Sequence, residues 1–228
     1  MGLSGKTLIQ TFPFLAKKGV SIVKAKRVYD NWTQPKTFDR NLIVIGGGAG
    51  GLVSSYIAAA VKAKVTLIEA HKMGGDCLNY GCVPSKALIK SAKLAKQMQV
   101  AEKYGLENIQ PSFSFKKIML RIHNIIAEVE PHDSVERYTN LGVDVVKGYA
   151  KLVDPWTVEI QLNDGGMQTL TARTIVIATG ARPFVPPLPG IEETGYVTSD
   201  TLWAKVSELE EAPKKLGVLG GGPIGSEL

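Results

Sequence analysis

Cysteine and histidine are scarce in this chain of 228 residues, with two of the first and three of the second. Two cysteines cannot build the multi-bridge framework of a small secreted scaffold. Placed five apart, as Cys77 and Cys82, they suit redox chemistry or half of a metal site. A metal would need further ligands, and His71 is the only imidazole near them. No apolar run approaches the length needed to cross a bilayer. The N-terminus also lacks the charged start, long apolar middle and small-residue cleavage site of a secretory signal. A cytoplasmic location is the default expectation.

What is present begins with charge. The net +6 belongs to residues 1–40, where eight Lys/Arg meet only Asp30 and Asp39, while residues 41–228 hold nineteen of each sign. This basic arm reads either as a solvated linker or as a membrane-surface contact through residues 1–36, since Leu8, Ile9, Phe12, Phe14 and Leu15 sit among the cations. Nucleic-acid binding is not expected, because no basic surplus accompanies the remainder. With 44% hydrophobic residues, the chain can bury a sizeable core.

Periodicity gives the organisation. Asn41–Ile45 is an apolar run ending in Gly46-Gly47-Gly48-Ala49-Gly50-Gly51; a small-residue helix and a second apolar run, Val65–Ile68, follow. Strand, glycine turn, helix and strand make one βαβ unit. Helices are expected from Ser85 to about residue 103 and from Phe115 to about residue 141, the second interrupted near Pro131. Val143–Val146 reads as a short strand. Val158–Leu162 and Gln168–Ala172, joined by Asn163-Asp164-Gly165-Gly166, read as a hairpin. Thr174–Ala178 reads as a separate buried strand leading into Thr179-Gly180. Leu216–Leu219 is expected to begin a new strand before Gly220-Gly221-Gly222-Pro223-Ile224-Gly225. The rest of that second unit is missing, so the chain reads as a fragment.

Two constellations carry chemistry. In the first, Gly46, Gly48 and Gly51 fit G-x-G-x-x-G, with Glu69 after the second strand. The glycines allow a tight turn, a close approach of backbone to pyrophosphate and close helix–strand packing. The helix start offers free N–H groups to phosphate, and the acid can accept ribose hydroxyls. The second is Gly74-Gly75-Asp76-Cys77-Leu78-Asn79-Tyr80-Gly81-Cys82-Val83-Pro84-Ser85-Lys86. In an ideal helix, residues five apart have Cα atoms roughly 8.7 Å apart, whereas a disulfide wants about 4.4–6.8 Å. Were the cysteines bonded, the first turn would have to be distorted, which Gly81 permits. A helix start would also lower the thiolate pKa. Two free thiols or half a metal site remain the other readings.

These segments, together with Ile177-Ala178-Thr179-Gly180-Ala181-Arg182-Pro183, occur in the order found in the pyridine nucleotide–disulfide oxidoreductases, and residues 42–228 resemble that family. Val83-Pro84-Ser85-Lys86 resembles its lipoamide and mercuric branches, since glutathione reductases carry Lys where Ser85 stands. Glu130-Pro131-His132-Asp133-Ser134-Val135-Glu136-Arg137 leans towards the mercuric one. Asp76 and Tyr80 depart from the commonest Thr and Val. The resemblance implies that Cys82 is the charge-transfer thiolate and Cys77 the interchange thiol. It also implies FAD contacts at Gly46, Gly48, Gly50, Gly51, Glu69, Gly75, Ala150, Thr179 and Gly180. Lys86 would sit by the flavin, paired with Glu227, and Gly220, Gly222 and Gly225 would form a second nucleotide turn. His71, His123 and His132 lack the Pro-Thr and later Glu that mark the family's base, so surface or packing roles are expected of them.

The resulting expectation is an α/β, doubly wound Rossmann-type FAD-binding domain with a small antiparallel hairpin insertion. Its parts would be a basic arm (1–40), the FAD domain (41–190), a connection (191–215) and the truncated start of an NAD(P)-binding domain (216–228). The implied function passes electrons from NAD(P)H through FAD to a Cys77–Cys82 disulfide. From there they reach a small thiol, disulfide or metal-ion substrate, in a homodimer when the chain is whole. Alone, the fragment would bind FAD weakly or not at all and not turn over. A flavoprotein oxidase or monooxygenase without disulfide chemistry, and a non-catalytic module held at a membrane, are the alternatives.

Overall fold

The computed structural model describes residues 31–228. The apolar and cationic residues behind the expected membrane contact lie almost wholly outside them. No helix among the described residues is long and apolar enough to cross a membrane.

The β-branched run β1 (Arg40–Ile45) lies between β2 (Val65–Glu69) and β5 (Met167–Ile177), and β3 (Val143–Leu152) flanks β2 on the far side. All of these neighbours pair parallel. β4 (Thr157–Leu162) joins β3 and β5 antiparallel, so the order closes on itself as β1-β2-β3-β4-β5. Successive residues of β1 and β2 face opposite layers, as the two-residue period of a strand demands. Val44 and Leu67 pack with Leu52, Ala59 and Tyr138 from helices α1 (Ala49–Ala60) and α5 (Val135–Asn140). Ile43 and Ile68 pack instead with Val158, Ile160, Leu170 and Ala172 of the antiparallel layer. The parallel sheet is thus covered by helices on one face and by strands on the other. Each fully buried Ile or Leu here stabilises the fold by up to about 1.5–3 kcal/mol.

Three strand expectations need correction. β3 runs to Leu152 because, past its parallel partner β2, it finds a second partner in β4. The hairpin arm and the strand expected at 174–178 are one strand, β5, which pairs with β4 and then with β1. Its last part is not buried, since it is flanked by β1 alone and Ile177 is 64% exposed. Leu216–Leu219 forms no strand; it has no paired neighbour, and its apolar side chains are exposed.

The helix expected from Ser85 begins three residues earlier, at Cys82. α2 (Gly75–Asn79) and α3 (Cys82–Gln99) are separated at Tyr80-Gly81. α4 (Phe115–Val129) starts where expected, capped by Ser114, whose side chain accepts from Lys117 N at 3.3 Å, and Pro131 breaks its continuation into α5. A third cluster of Ala87, Met119, Ile122, Leu202 and Trp203 joins α3 and α4 to α6 (Ser199–Ser207). The short α7 (Pro223–Glu227) follows.

Candidate functional site

The site lies at the carboxyl ends of β1, β2 and β5, where the chain passes from one side of β1 to the other. Such a switch point is where open α/β sheets bind ligands. Gly46 closes β1 with φ +107°, and a Cβ there would meet Ala178 O at 2.2 Å. The turn is therefore packed directly against the end of β5, where Ala178 N donates to Ile45 O at 2.8 Å and Thr179 follows. A Cβ at Gly51 would meet Gly46 O at 1.8 Å, so α1 can leave at this angle only because 51 is glycine. Gly48 is the extended N-cap residue of α1 and supplies no side-chain cap. The first N–H groups of this twelve-residue helix are therefore left for an anion.

Glu69 faces the same turn from the end of β2. Its Oε2 accepts from Gly47 N at 2.6 Å and its Oε1 from His71 N at 2.6 Å. Each oxygen retains a second lone pair that neither of these bonds uses. The bond to the glycine turn itself was not foreseen from the sequence, which offered only a ribose partner for this acid.

The cysteine segment begins against the glycine turn. Gly75 has φ +55°, and a Cβ on it would lie 2.6 Å from Gly48 Cα. The glycine turn and the segment carrying Cys77 thus touch backbone to backbone, and Gly74 N also donates to Gly47 O at 2.8 Å. The residue after Gly75, Asp76, approaches Gly180, where a Cβ would stand 4.0 Å from Asp76 Oδ2. Tyr80 N and Gly81 N both turn back to Asp76 O, at 2.8 and 2.6 Å, which ends α2 and lets α3 start at Cys82. A Cβ at Gly81 would lie 3.1 Å from Asp76 O and 3.6 Å from Cys77 Cα, so the break between the two helices leaves little room for a side chain there.

Cys77 and Cys82 are both free thiols, the first half-buried and the second exposed. Burial pushes the Cys77 thiol up to about 11, and a hydrogen bond with Cys82 adds to the rise. For Cys77 the direction is opposite to the lowering expected of a helix start, because lost solvation and a neighbouring sulfur both favour the neutral thiol. Among the described residues, no group of three or more His, Cys, Asp or Glu side chains is arranged to hold a metal.

The structure brings Lys86 and Glu227 together: Nζ lies 2.5 Å from Oε1. Oε2 of the same carboxylate accepts from Ser85 Oγ at 2.8 Å. This carboxylate stands on α7, behind a second glycine turn that copies the first. Gly220 has φ +116°, and a Cβ at Gly225 would meet Gly220 O at 2.1 Å and Val218 Cγ1 at 3.2 Å. At Gly51 the corresponding neighbours are Gly46 O and Val44 Cγ1. Gly222 is again the extended N-cap. The turn geometry is therefore preformed although the segment before it pairs with no strand.

Other expected positions stand differently. Gly50 faces open space apart from Ala178 Cβ, 4.0 Å from its own hypothetical Cβ. Ala150 pairs with Ile160 in the antiparallel layer and packs against the Ile43–Ile68 cluster. The histidines do not converge on the sulfurs. His71 Nε2 meets Tyr149 OH at 2.8 Å, His123 Nε2 meets Ser207 Oγ at 2.8 Å, and His132 Nδ1 meets Arg137 at 2.9 Å. Sequence reasoning missed Trp203, whose indole reaches Tyr80 O at 2.6 Å; nothing local to residue 203 announces a partner 123 positions away.

Residues 40–228 match the family described as Pyridine nucleotide-disulphide oxidoreductase. Among similar proteins are the mercuric reductase of Streptomyces lividans, 34% identical over 82% of this chain and 39% of the relative. The dihydrolipoyl dehydrogenase of Zymomonas mobilis is 36% identical over 82% and 39%. The glutathione reductase of Schizosaccharomyces pombe is 40% identical over 85% and 40%. The chain thus spans about two fifths of the length of these relatives.

Proposed function

The chain belongs to the pyridine nucleotide-disulphide oxidoreductase family, and from this we propose that it carries the FAD site and redox cysteines of an NAD(P)H-dependent oxidoreductase. The substrate is a small disulfide or mercuric ion. The carrying observation is the contact between Gly48 and Gly75, which joins the phosphate-facing turn to the helix of Cys77. Two unrelated functions would have no need to share that point.

The residues present fit FAD. The uncapped start of α1 and the side-chain-free Gly46, Gly48 and Gly51 would take the pyrophosphate, and Glu69 the ribose. Gly75, Thr179 and Gly180 line the same sheet end, and Ala150 would meet the adenine side. When bound, the flavin supplies two-electron chemistry between NAD(P)H and the sulfur pair. Cys77 acts as the interchange thiol toward substrate and Cys82 as the thiol nearer the flavin. Lys86 supplies a fixed positive charge beside that ring, held by Glu227, whose other oxygen accepts from Ser85. The turn of Gly220, Gly222 and Gly225 begins the nicotinamide-nucleotide site. Residues 41–190 form the FAD domain, 191–215 a connection and 216–228 the start of the next. The working protein is a homodimer.

A flavin-fluorescence titration tests this. A Cβ at Gly48 would meet only Gly75 Cα, at an ordinary 3.6 Å, so Gly48→Ala folds normally while filling the phosphate cradle. We expect saturable, weak quenching of FAD by the native chain and at least about a ten-fold loss in the variant. Equal binding by both chains would sink the proposal.

A further inference from the structure

The polypeptide between the two cysteines contains a carbonyl with no backbone donor. In a continuous helix Tyr80 O would accept from the backbone N–H four residues on. Residue 84 is proline, which has no such group. The N–H groups of Tyr80 and Gly81 both return to Asp76 O, and Ser85 N reaches Gly81 O at 3.0 Å. The break that separates α2 from α3 thus leaves Tyr80 O without a helical donor. It accepts instead from Trp203 Nε1 at 2.6 Å.

Trp203 is itself only 4% exposed, held on α6 among Ala87, Met119, Ile122 and Leu202, and the Tyr80 side chain packs on the same cluster. A rigid, buried donor therefore grips the one peptide group that decides how α2 and α3 meet, and Cys77 and Cys82 stand on either side of it. We infer that Trp203 is a positioning residue for the sulfur pair. Its indole N–H fixes the break at Tyr80-Gly81 and so sets how readily Cys77 and Cys82 join as a disulfide. Trp203 acts through Tyr80, and the inference rests on Cys77 and Cys82 being the redox pair proposed above.

The reduced full chain is equilibrated with glutathione buffers. Cys77 and Cys82 give up two protons and two electrons as their S–S bond forms. The S–S bond of oxidised glutathione breaks and takes them up, yielding two glutathione thiols. Alkylation and mass spectrometry read the fraction oxidised. Trp203→Phe keeps a ring and removes the N–H. Benzothienylalanine at 203 puts sulfur in place of the N–H on the same bicycle, and it decides the matter should the Phe variant not fold. In both, the equilibrium constant for disulfide formation falls about three- to ten-fold, because the sulfurs are held together less well. Circular dichroism and the unfolding midpoint of the reduced chain, read alongside, separate this from a general loss of stability. An unchanged or larger constant in a folded variant overturns the inference alone. A native chain that forms no Cys77–Cys82 disulfide at any glutathione ratio overturns the redox reading and the inference with it.

Discussion

Lys86 Nζ lies 2.5 Å from Glu227 Oε1, across 141 positions of chain. Neither side chain is deeply buried, at 58% and 38% exposed, so as an ion pair the contact stabilises little. Its effect is positional. Glu227 stands at the end of α7, two residues past Gly225, and the contact is one tie between the second glycine turn and the helix of Cys82. Ser85 supplies the other. Its hydroxyl, in a residue 5% exposed, has one proton, which goes to Glu227 at 2.8 Å in preference to Cys82 O at 3.3 Å.

The pair should be visible in titrations. The hydrogen bond with Glu227 raises the Lys86 amine, while those from Lys86 and then Ser85 lower the Glu227 carboxyl. A lysine raised in the folded state contributes fully below its ordinary 10.5 and loses that contribution as pH climbs through the folded value. A depressed carboxyl contributes above its ordinary 4.5 and fails as pH drops through its folded value. The tie is therefore intact across the whole neutral range. Glu227→Gln should move the Lys86 midpoint down toward its ordinary value, read by NMR of the reductively methylated amine. A midpoint identical in both chains would mean the pair does not form in solution.

Gly75→Ala tests the junction of the two motifs. Gly105 provides the control, since it too has a left-handed φ, +77°, but a Cβ there would meet nothing within 4 Å. Both substitutions carry backbone strain of about 1–3 kcal/mol. Only Gly75→Ala also drives a methyl to 2.6 Å from Gly48 Cα, a backbone overlap that adds about 1–3 kcal/mol. Urea denaturation should show the larger loss at 75. Equal losses would place the two turns farther apart than described here.

Much of this was legible because local chemistry dictated it. Gly46, Gly48 and Gly51 at their spacing, with strand before and helix after, leave few other backbone paths. The Gly74–Lys86 segment carries its own turn and helix signals. Lys86 and Glu227 were paired through family likeness, and no local feature would have joined them. The strands failed differently. Residues 143–152 and 167–177 change partners midway, and alternation along one strand does not say when its neighbour ends. Residues 216–219 have the composition of a strand, but a strand exists only where another pairs with it. Trp203 escaped notice because its role is set by a missing N–H at Pro84, visible only once the helices are placed.

The Cys77 thiol should be slow to ionise. With burial as the first cause and Cys82 the second, its value stands at about 11 against an ordinary 9.0. Iodoacetamide labelling of the reduced chain should therefore accelerate only well above pH 9. Cys82→Ala should lower the midpoint part of the way, since burial remains. For stability the sign follows from proton counts. Between the unfolded and folded values the unfolded chain binds fewer protons, so reduced-state stability falls as pH rises through that window. A midpoint at or below 9.0 would show that the helix start outweighs burial after all.

Glu69 separates a role in the fold from one in cofactor binding. Its carboxylate takes two backbone N–H groups, one on each oxygen, and the residue is 9% exposed. Removing it strands the donors of Gly47 and His71, each at a cost of about 1–3 kcal/mol where water cannot replace the acceptor. Glu69→Ala should therefore lower the unfolding free energy by about 2–4 kcal/mol with no FAD present. Glutamine is a poor rescue, because its amide oxygen can satisfy one donor while its NH2 must face the other. A carboxylate serving only a ribose would leave the cofactor-free chain unaffected by either change. An unaltered urea midpoint in Glu69→Ala would mean that backbone contacts, Gly46 N on Ile68 O and Gly74 N on Gly47 O among them, hold the glycine turn without the acid, leaving the carboxylate for the nucleotide.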